Sequence, residues 1–178
     1  MTVQPLRWGP LAALGLVCGL VHVALGIVLY LAGVYFEPGS LRLMTFVLAA
    51  YIGVGNWWYG RHVLGGKTSY PKALLVGVVI SVTTGLVYAA YNFVTVSFVY
   101  SEFLEQMIQA EFGRASAGLD TAAAARLLAE LRAGVSLGGL MMGNLAAVSR
   151  IGTAFSVLIA VGFMGRWRSA RVAATARS

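Results

Sequence analysis

Residues 73–101 read ALLVGVVISVTTGLVYAAYNFVTVSFVYS, and no other stretch constrains the architecture of this chain as strongly. The run contains no charged residue, and as a helix rising 1.5 Å per residue it would extend about 43 Å. The hydrocarbon core of a bilayer is about 30 Å thick, and about 20 apolar residues in a helix cross it. We therefore expect a transmembrane helix here that tilts or protrudes from the core.

Three further apolar runs flank this stretch. The first, residues 8–36, is uncharged and too long for the apolar core of a signal peptide. The second, residues 43–60, ends in an aromatic cluster typical of the headgroup level. The last run is interrupted by Arg150, and residues 133–143 lead into its helix, helical or broken. The expected spanning helices lie near residues 10–35, 43–60, 73–101 and 144–167.

The composition of the whole chain fits a single integral membrane domain over residues 1–178. Hydrophobic residues make up 59% of the chain and charged residues 11%, against about 25% charged in a typical soluble domain. The net charge of +7 comes from short basic clusters between apolar runs, which fits loops facing anionic lipid and argues against nucleic acid as a partner. Cys18 is the one cysteine, so no intramolecular disulfide forms, and no Cys/His cluster has zinc-site spacing.

The segment between the third and fourth apolar runs has a different character. Residues 102–132 carry all the acidic residues but one, and Leu104 and Ile108 begin an apolar stripe at helical spacing. Asp120 or Thr121 is a candidate cap for a second, Ala-rich helix. We expect two amphipathic helices, outside the cytoplasm, lying on the membrane surface or against the bundle.

The distribution of basic residues predicts the orientation. One side of the membrane holds eight basic residues and no acidic residue, whereas the other holds all six acidic residues. An excess of Lys and Arg marks the cytoplasmic side, so both termini should be cytoplasmic, in a bacterial inner membrane. The eight residues are Arg7, Arg61, Lys67, Lys72, Arg166, Arg168, Arg171 and Arg177.

The loop between the second and third runs supports a family resemblance. Residues 59–73 read YGRHVLGGKTSYPKA, and Gly77 and Ser81 follow. A basic-x-x-Gly-Gly loop, an aromatic-x-Lys-Ala step into a Gly-containing helix, an acidic helical segment and a basic end of the last helix also characterise the bacterial family DUF4199. This chain resembles that family over nearly its whole length, although its loop is one residue longer between Arg61 and Gly65. The resemblance implies a four-helix membrane protein and implies no activity.

Four histidine and asparagine residues fall inside the apolar runs, and we call them the intramembrane polar residues. A polar residue within a membrane is a functional candidate by default, although a neutral histidine can also simply hydrogen-bond to another helix. A haem at His22 would need a second axial ligand at the same depth, and His62, the only other histidine, is expected at the rim. The intramembrane polar residues are His22, Asn56, Asn92 and Asn144.

Arg150 is the most unusual residue of the chain. A charge near the centre of a membrane helix costs about 2.5–3.5 kcal/mol on insertion scales, and no acidic residue lies in any other apolar run. We expect Arg150 to reach the headgroups on the acidic side, and a specific anion or lipid site is the alternative. Basic residues expected to contact anionic lipid at the opposite side are Arg61, Lys67 and Lys72.

Small residues spaced four apart indicate close contacts between helices, because they let two backbones approach. The first expected helix contains Gly15 and Gly19, and the third contains Gly77, Ser81 and Gly85. Such faces serve packing inside the bundle or the binding of another protein. For the third helix we favour an outward face that meets a partner or a second copy.

No catalytic constellation is visible at any one depth of the expected bundle. Chemistry requires polar groups that converge, and here they stand on separate helices. We therefore expect no enzyme, no catalytic residue, no metal and no cofactor. The favoured function is an accessory or scaffold subunit that acts by helix–helix association in the lipid bilayer, with a membrane protein partner or as a homo-oligomer. The alternative is a small transporter or channel-like protein for a non-cationic or lipid-like solute.

Overall fold

The computed structural model describes residues 6–66, 68–99 and 102–175, and for residues 163–175 it describes the backbone alone. Within those residues every regular element is helical. The helices are α1 (Trp8–Leu31), α2 (Pro38–His62), α3 (Tyr70–Val94), α4 (Phe103–Ala115), α5 (Thr121–Gly134) and α6 (Leu137–Thr175). A π-helical turn, Thr95–Val99, extends α3.

Four segments are long and apolar enough to cross a membrane: Trp8–Leu31, Pro38–His62, Tyr70–Val99 and Leu137–Gly162. The expected all-α class, with four spans and two helices between the third and the fourth, is confirmed. The last span begins at Leu137 rather than near residue 144. The Ser136 hydroxyl accepts a hydrogen bond from the Gly139 N–H at 3.1 Å, and this cap starts the helix early.

Local sequence explains where the spans begin and end. Pro38 stands in the first turn of α2, where its missing N–H costs nothing. Gly33 follows α1 with φ +73, a left-handed conformation that glycine adopts without strain. Gly65 and Gly66 adopt the same conformation in the turn between α2 and α3, and the Gly66 N–H bonds to the Gly60 carbonyl at 2.8 Å.

The centre of the bundle is α3, which packs against α1, α2 and α6. It runs parallel to α1, since Gly15 faces Thr83 and Gly19 faces Val87. It runs antiparallel to α6. Large apolar side chains such as that of Phe46 point outward from the spans, as expected where lipid is the solvent. Fully buried apolar side chains inside the bundle include Leu11, Cys18, Ile52 and Ile80.

The helix α4 lies at one end of the bundle, which we call the α4 end, and α5 packs on α4. The buried ring of Phe103 lies 5.3 Å from Phe36 and 5.5 Å from Tyr35, measured between centroids. A salt bridge of 2.6 Å joins Glu105 on α4 to Arg132 on α5. The helical nature of this segment is thus confirmed, and Asp120 is its N-cap, since its carboxylate accepts from the Ala123 N–H at 2.7 Å.

Candidate functional site

The small residues of α3 lie against α6, inside the bundle. A Cβ at Gly77 would stand 2.6 Å from the Cβ of Ser156, and Ser81 is fully buried against Gly152. This face, with Gly85 at its other end, is therefore not available to a partner, which corrects the expectation that α3 presents it outward. The reason is that α6 carries its own small residues at a matching spacing, so the two backbones can meet.

The small residues of α1 also pack internally. A Cβ at Gly15 would stand 2.5 Å from the Cβ of Thr83, and one at Gly19 would stand 2.5 Å from the Cβ of Val87. The Thr84 hydroxyl donates to the Gly15 carbonyl at 3.3 Å. Both glycines therefore serve the contact between α1 and α3.

Two of the three basic residues expected to touch lipid on the cytoplasmic side, Arg61 and Lys72, lie at the end of the bundle opposite the α4 end. Arg61 is exposed, and its guanidinium lies 5.8 Å from the centre of the Trp57 ring. Lys72 is half-buried in the first turn of α3. Lys67 lies outside the described residues. His62 packs on Trp57 and Trp58 at this same end, so it is no second axial ligand for His22.

Two of the four intramembrane polar residues are buried apart from each other. Asn56 donates to the Ile52 carbonyl at 3.1 Å, within its own helix. Its Oδ1 and the Nδ2 of Asn92 have no hydrogen-bond partner in the described part of the chain. Neither asparagine lines the cavity formed by the other two residues.

The other two intramembrane polar residues, His22 and Asn144, line one cavity. It has a volume of about 220 Å³ and lies between α2 and α6, in the half of the bundle nearest the α4 end. Phe103 and Met107 of α4 line it at the α4 end. The apolar lining comprises Phe36, Leu41, Met44, Leu48, Phe103, Met107, Leu140, Ala147, Val148 and Ile151. The polar lining comprises His22, Tyr35, Thr45, Tyr88 and Asn144.

His22 is 3% exposed and is held by the backbone of α2. Its Nε2 lies 3.1 Å from the Met44 carbonyl oxygen, so Nε2 carries the hydrogen and donates it. Nδ1 is then an acceptor, and the nearby carbonyl of Cys18 cannot donate to it. Nδ1 accordingly has no hydrogen-bond partner in the described part of the chain. The ring also makes an edge contact with Tyr88, with centroids 6.4 Å apart.

Two tyrosines and an asparagine complete the polar wall. The hydroxyls of Tyr35 and Tyr88 are hydrogen-bonded at 2.5 Å. Because Leu145 packs on Gly85 and α6 runs antiparallel to α3, Asn144 lies near the depth of Tyr88. Asn144 is half-buried, and its amide makes no hydrogen bond to the described residues.

From the sequence these polar groups were expected to stand apart on separate helices. The structure brings two of them, His22 and Asn144, to one cavity together with Tyr88, which the sequence had not singled out. His22, Tyr88 and Asn144 stand on three different helices, so their convergence depends on the register of α6 against α3. The sequence signal that could have found it was the small-residue spacing of α6, which pairs Gly152 and Ser156 with α3.

The chemistry available in the cavity is hydrogen bonding without charge. The lining contains no Asp, Glu, Lys or Arg among the described residues, and the Nε2 of His22 is committed to a carbonyl. No group of three His, Cys, Asp or Glu residues capable of holding a metal occurs in the described ranges. The arrangement can therefore bind a neutral molecule with one polar group and an apolar body.

Arg150 lies on a different face of α6 and is exposed. In the sequence it stands midway along the stretch between the neighbouring charged residues Arg132 and Arg166. Its Nε donates to the Ala146 carbonyl at 3.2 Å. The helix begins at Leu137, so about three and a half turns of helix separate Arg150 from that end. The expectation that Arg150 reaches the headgroups stays a prediction.

Comparison with models of protein families matches residues 13–177 to the family described as "Protein of unknown function (DUF4199)". Neither the curated proteins nor the solved structures contain a match to this chain. The family match spans nearly the whole chain and brings no activity with it.

Proposed function

The chain belongs to the DUF4199 family, and we propose that it is a non-catalytic membrane protein that binds an uncharged, lipid-like molecule in the cavity between α2 and α6. One observation carries the proposal: His22, Tyr88 and Asn144 meet around a cavity whose described lining has no ionic side chain.

The polarity of the lining defines the head of the ligand. An ionised head would lose its hydration without gaining a counter-charge, and such a transfer is very costly. A hydroxyl, carbonyl or amide can instead pair with the open amide of Asn144, which donates and accepts. An unpaired amide is expensive within a bilayer, so a ligand that satisfies it gains free energy from that contact.

The size of the cavity defines how much of the ligand it holds. A cavity of about 150 Å³ accommodates benzene, and this one is somewhat larger at about 220 Å³. It therefore suits a headgroup with a short piece of chain rather than a whole lipid. Leu41, 65% exposed, lines the cavity and also faces the surroundings of the bundle, so the remaining chain can extend into the bilayer there.

We further propose a bacterial inner membrane with both termini in the cytoplasm. The eight-to-none distribution of basic residues supports this orientation. The α4 end, and with it the cavity, would then belong to the outer half of the bilayer. A transporter-like activity of this chain would then consist of binding or passing a lipid-like solute in the outer leaflet.

A second candidate function is that of an accessory or scaffold subunit, which associates with another membrane protein through its helices. The observation that favours it is the outward face of α6. A Cβ added at Gly143 on this face would meet no atom of another described helix within 4 Å. Residues Ala146, Arg150 and Ala154 are exposed on the same helix. The two functions are compatible, because none of Gly143, Ala146, Arg150 and Ala154 lines the cavity.

Photolabelling tests the cavity proposal. The purified protein is placed in lipid nanodiscs with a diazirine-bearing long-chain alcohol, and labelled residues are mapped by mass spectrometry. We expect labels within residues 41–48 and 140–151, and competition by unlabelled long-chain alcohol. A long-chain sulfonate of equal length should compete poorly, because its head stays charged at every working pH.

Adjacent alanines of α6 provide the matched variants. Ala147→Trp would fill the cavity that Ala147 lines, whereas Ala146→Trp adds the same ring to the exposed side. We expect the first variant to lose the cavity labels and the second to keep them. Equal labelling in both variants, or competition as strong from the sulfonate, would overturn the proposal.

A further inference from the structure

We propose that the outward face of α6 docks a transmembrane helix of another protein, and that this helix carries an Asp or Glu at the depth of Arg150. The inference rests on the association function proposed above and names the chemistry of the partner.

The face is built for close approach. Arg150 precedes Gly152 by two residues, which is about 200° around a helix, so it points away from the contact with α3. Its neighbours on that side are small: Gly143, Ala146 and Ala154 are all exposed. Small residues along one face let a second backbone come near, as Gly152 already does on the inner side of this helix.

The charge of Arg150 is unbalanced in the described part of the chain. Its one described hydrogen bond goes to the Ala146 carbonyl, and the salt bridges of the described residues join other partners. A guanidinium exposed in the middle of a span is costly on every insertion scale. A carboxylate removes that cost most directly, because it can accept two parallel N–H bonds from the guanidinium fork.

Lipid phosphate is a more distant partner than a facing helix. The hydrogen bond to Ala146 places the guanidinium about one turn nearer to Leu137 than the Arg150 backbone. From Ala146 to Leu137 the helix still rises about 14 Å. Apart from Arg150, α6 carries no charged residue as far as Gly165, so this part is about 43 Å long and, when centred, exceeds the roughly 30 Å core by about 7 Å at each end. A guanidinium about 14 Å from Leu137 then lies about 7 Å inside the hydrocarbon.

A second copy of this chain does not fit the face. All six acidic residues lie outside the four spans, so no copy offers a carboxylate at this depth. Two α6 faces related by symmetry would place two Arg150 side chains together, and like charges repel. The complementary charge must therefore come from a different protein.

Synthetic helices supply the test. The full chain is reconstituted in phosphatidylcholine vesicles with a leucine–alanine transmembrane peptide that has glycine every fourth residue on one face. The central residue of that face is Glu or Gln, and association is measured by energy transfer between dyes. We expect the Glu peptide to bind about tenfold more tightly, since an interhelical contact worth 1–2 kcal/mol changes affinity by about that factor.

Variants of Arg150 separate charge from packing. Arg150→Gln should abolish the preference for Glu, and Arg150→Lys should keep part of it, because lysine retains the charge and loses the fork. Arg61→Gln, at the end of the bundle, should leave the preference unchanged. Equal binding of the two peptides, or a preference that survives Arg150→Gln, overturns the inference.

Crosslinking in native membranes distinguishes failure of the proposed carboxylate partner from failure of the association function. A benzoylphenylalanine at Ala154 should capture a protein that one at Phe46, exposed on α2, does not. If that capture occurs and is insensitive to Arg150→Gln, association stands and the carboxylate partner is wrong. If Ala154 and Phe46 capture nothing but lipid, both the association function and the inference fail.

Discussion

The side chain of Ser81 on α3 rests on the backbone of Gly152 on α6, where even a methyl group would overlap it. The Ser81 hydroxyl donates to the Gly77 carbonyl at 2.7 Å, and the Ser156 hydroxyl donates to the Gly152 carbonyl at 2.6 Å. Both hydroxyls are thus satisfied within their own helices, as a bilayer requires. This contact fixes the register of α6, and with it the depth of Asn144.

Replacement of Gly152 tests that contact. Gly152→Ala should lower the free energy of unfolding by about 1–3 kcal/mol, because the added methyl overpacks the interface with Ser81. Gly143→Ala is the matched control on the same helix, since a Cβ there meets open space. Thermal unfolding in detergent measures both. Equal stability of the two variants would mean that the helices do not meet at this register.

The tyrosine pair beside the cavity predicts an energetic coupling. Tyr35→Phe and Tyr88→Phe should each cost about 0.5–1.5 kcal/mol, because each removes one side of the same hydrogen bond. The double variant should cost little more than one single variant. Tyr51→Phe is the control, since the Tyr51 hydroxyl has no hydrogen bond to the described residues. Strictly additive losses would show that the hydroxyls act independently.

The contact between α4 and α5 should weaken in acid. The Arg132 guanidinium, 2.6 Å away, holds the pKa of the Glu105 carboxyl below its ordinary value, and a hydrogen bond from Gln109 adds to this. A lowered pKa of Glu105 stabilises the contact between α4 and α5 fully at pH values above the unfolded-state pKa, about 4.3. This stabilisation disappears as the pH falls through the folded-state pKa.

Hydrogen exchange of α5 measures that change. We expect amides in residues 121–134 to lose protection as Glu105 becomes protonated, while amides of α3 keep theirs. Glu105→Gln should show the acid behaviour at neutral pH and should have a flatter pH profile. If that variant kept the wild-type pH profile, the salt bridge would not be the cause of the lost protection in acid.

Orientation in the membrane can be measured with two cysteines in a Cys18→Ala background. We expect Ser69→Cys, exposed in the turn before α3, to resist an impermeant maleimide added to intact cells. Ala117→Cys, exposed in the turn between α4 and α5, should react. Permeabilisation should make both reactive, which controls for local burial. The opposite pattern would reverse the topology and would place the cavity in the cytoplasmic leaflet.

The sequence by itself determined the spans and the two helices between the third and the fourth. An uncharged run as long as residues 73–101 predicts a membrane-spanning helix. A helix satisfies each of its backbone groups internally, as a bilayer without water requires. The apolar stripe that begins at Leu104 likewise identified a helix, since its spacing fits no other regular structure. The helix starts were less certain, because a single cap such as Ser136 moved the fourth span by several residues.

Only the tertiary structure decided which faces meet protein and which meet lipid. Gly77 and Gly143 belong to the same kind of small-residue pattern, yet one is packed against Ser156 and the other faces open space. The sequence cannot separate them, because lipid chains are as apolar as the side chains of a neighbouring helix. The position of Asn144 beside His22 and Tyr88 follows from the same contacts. The register of two helices is set by how well their surfaces fit together, and the hydrophobicity of the sequence does not predict that fit.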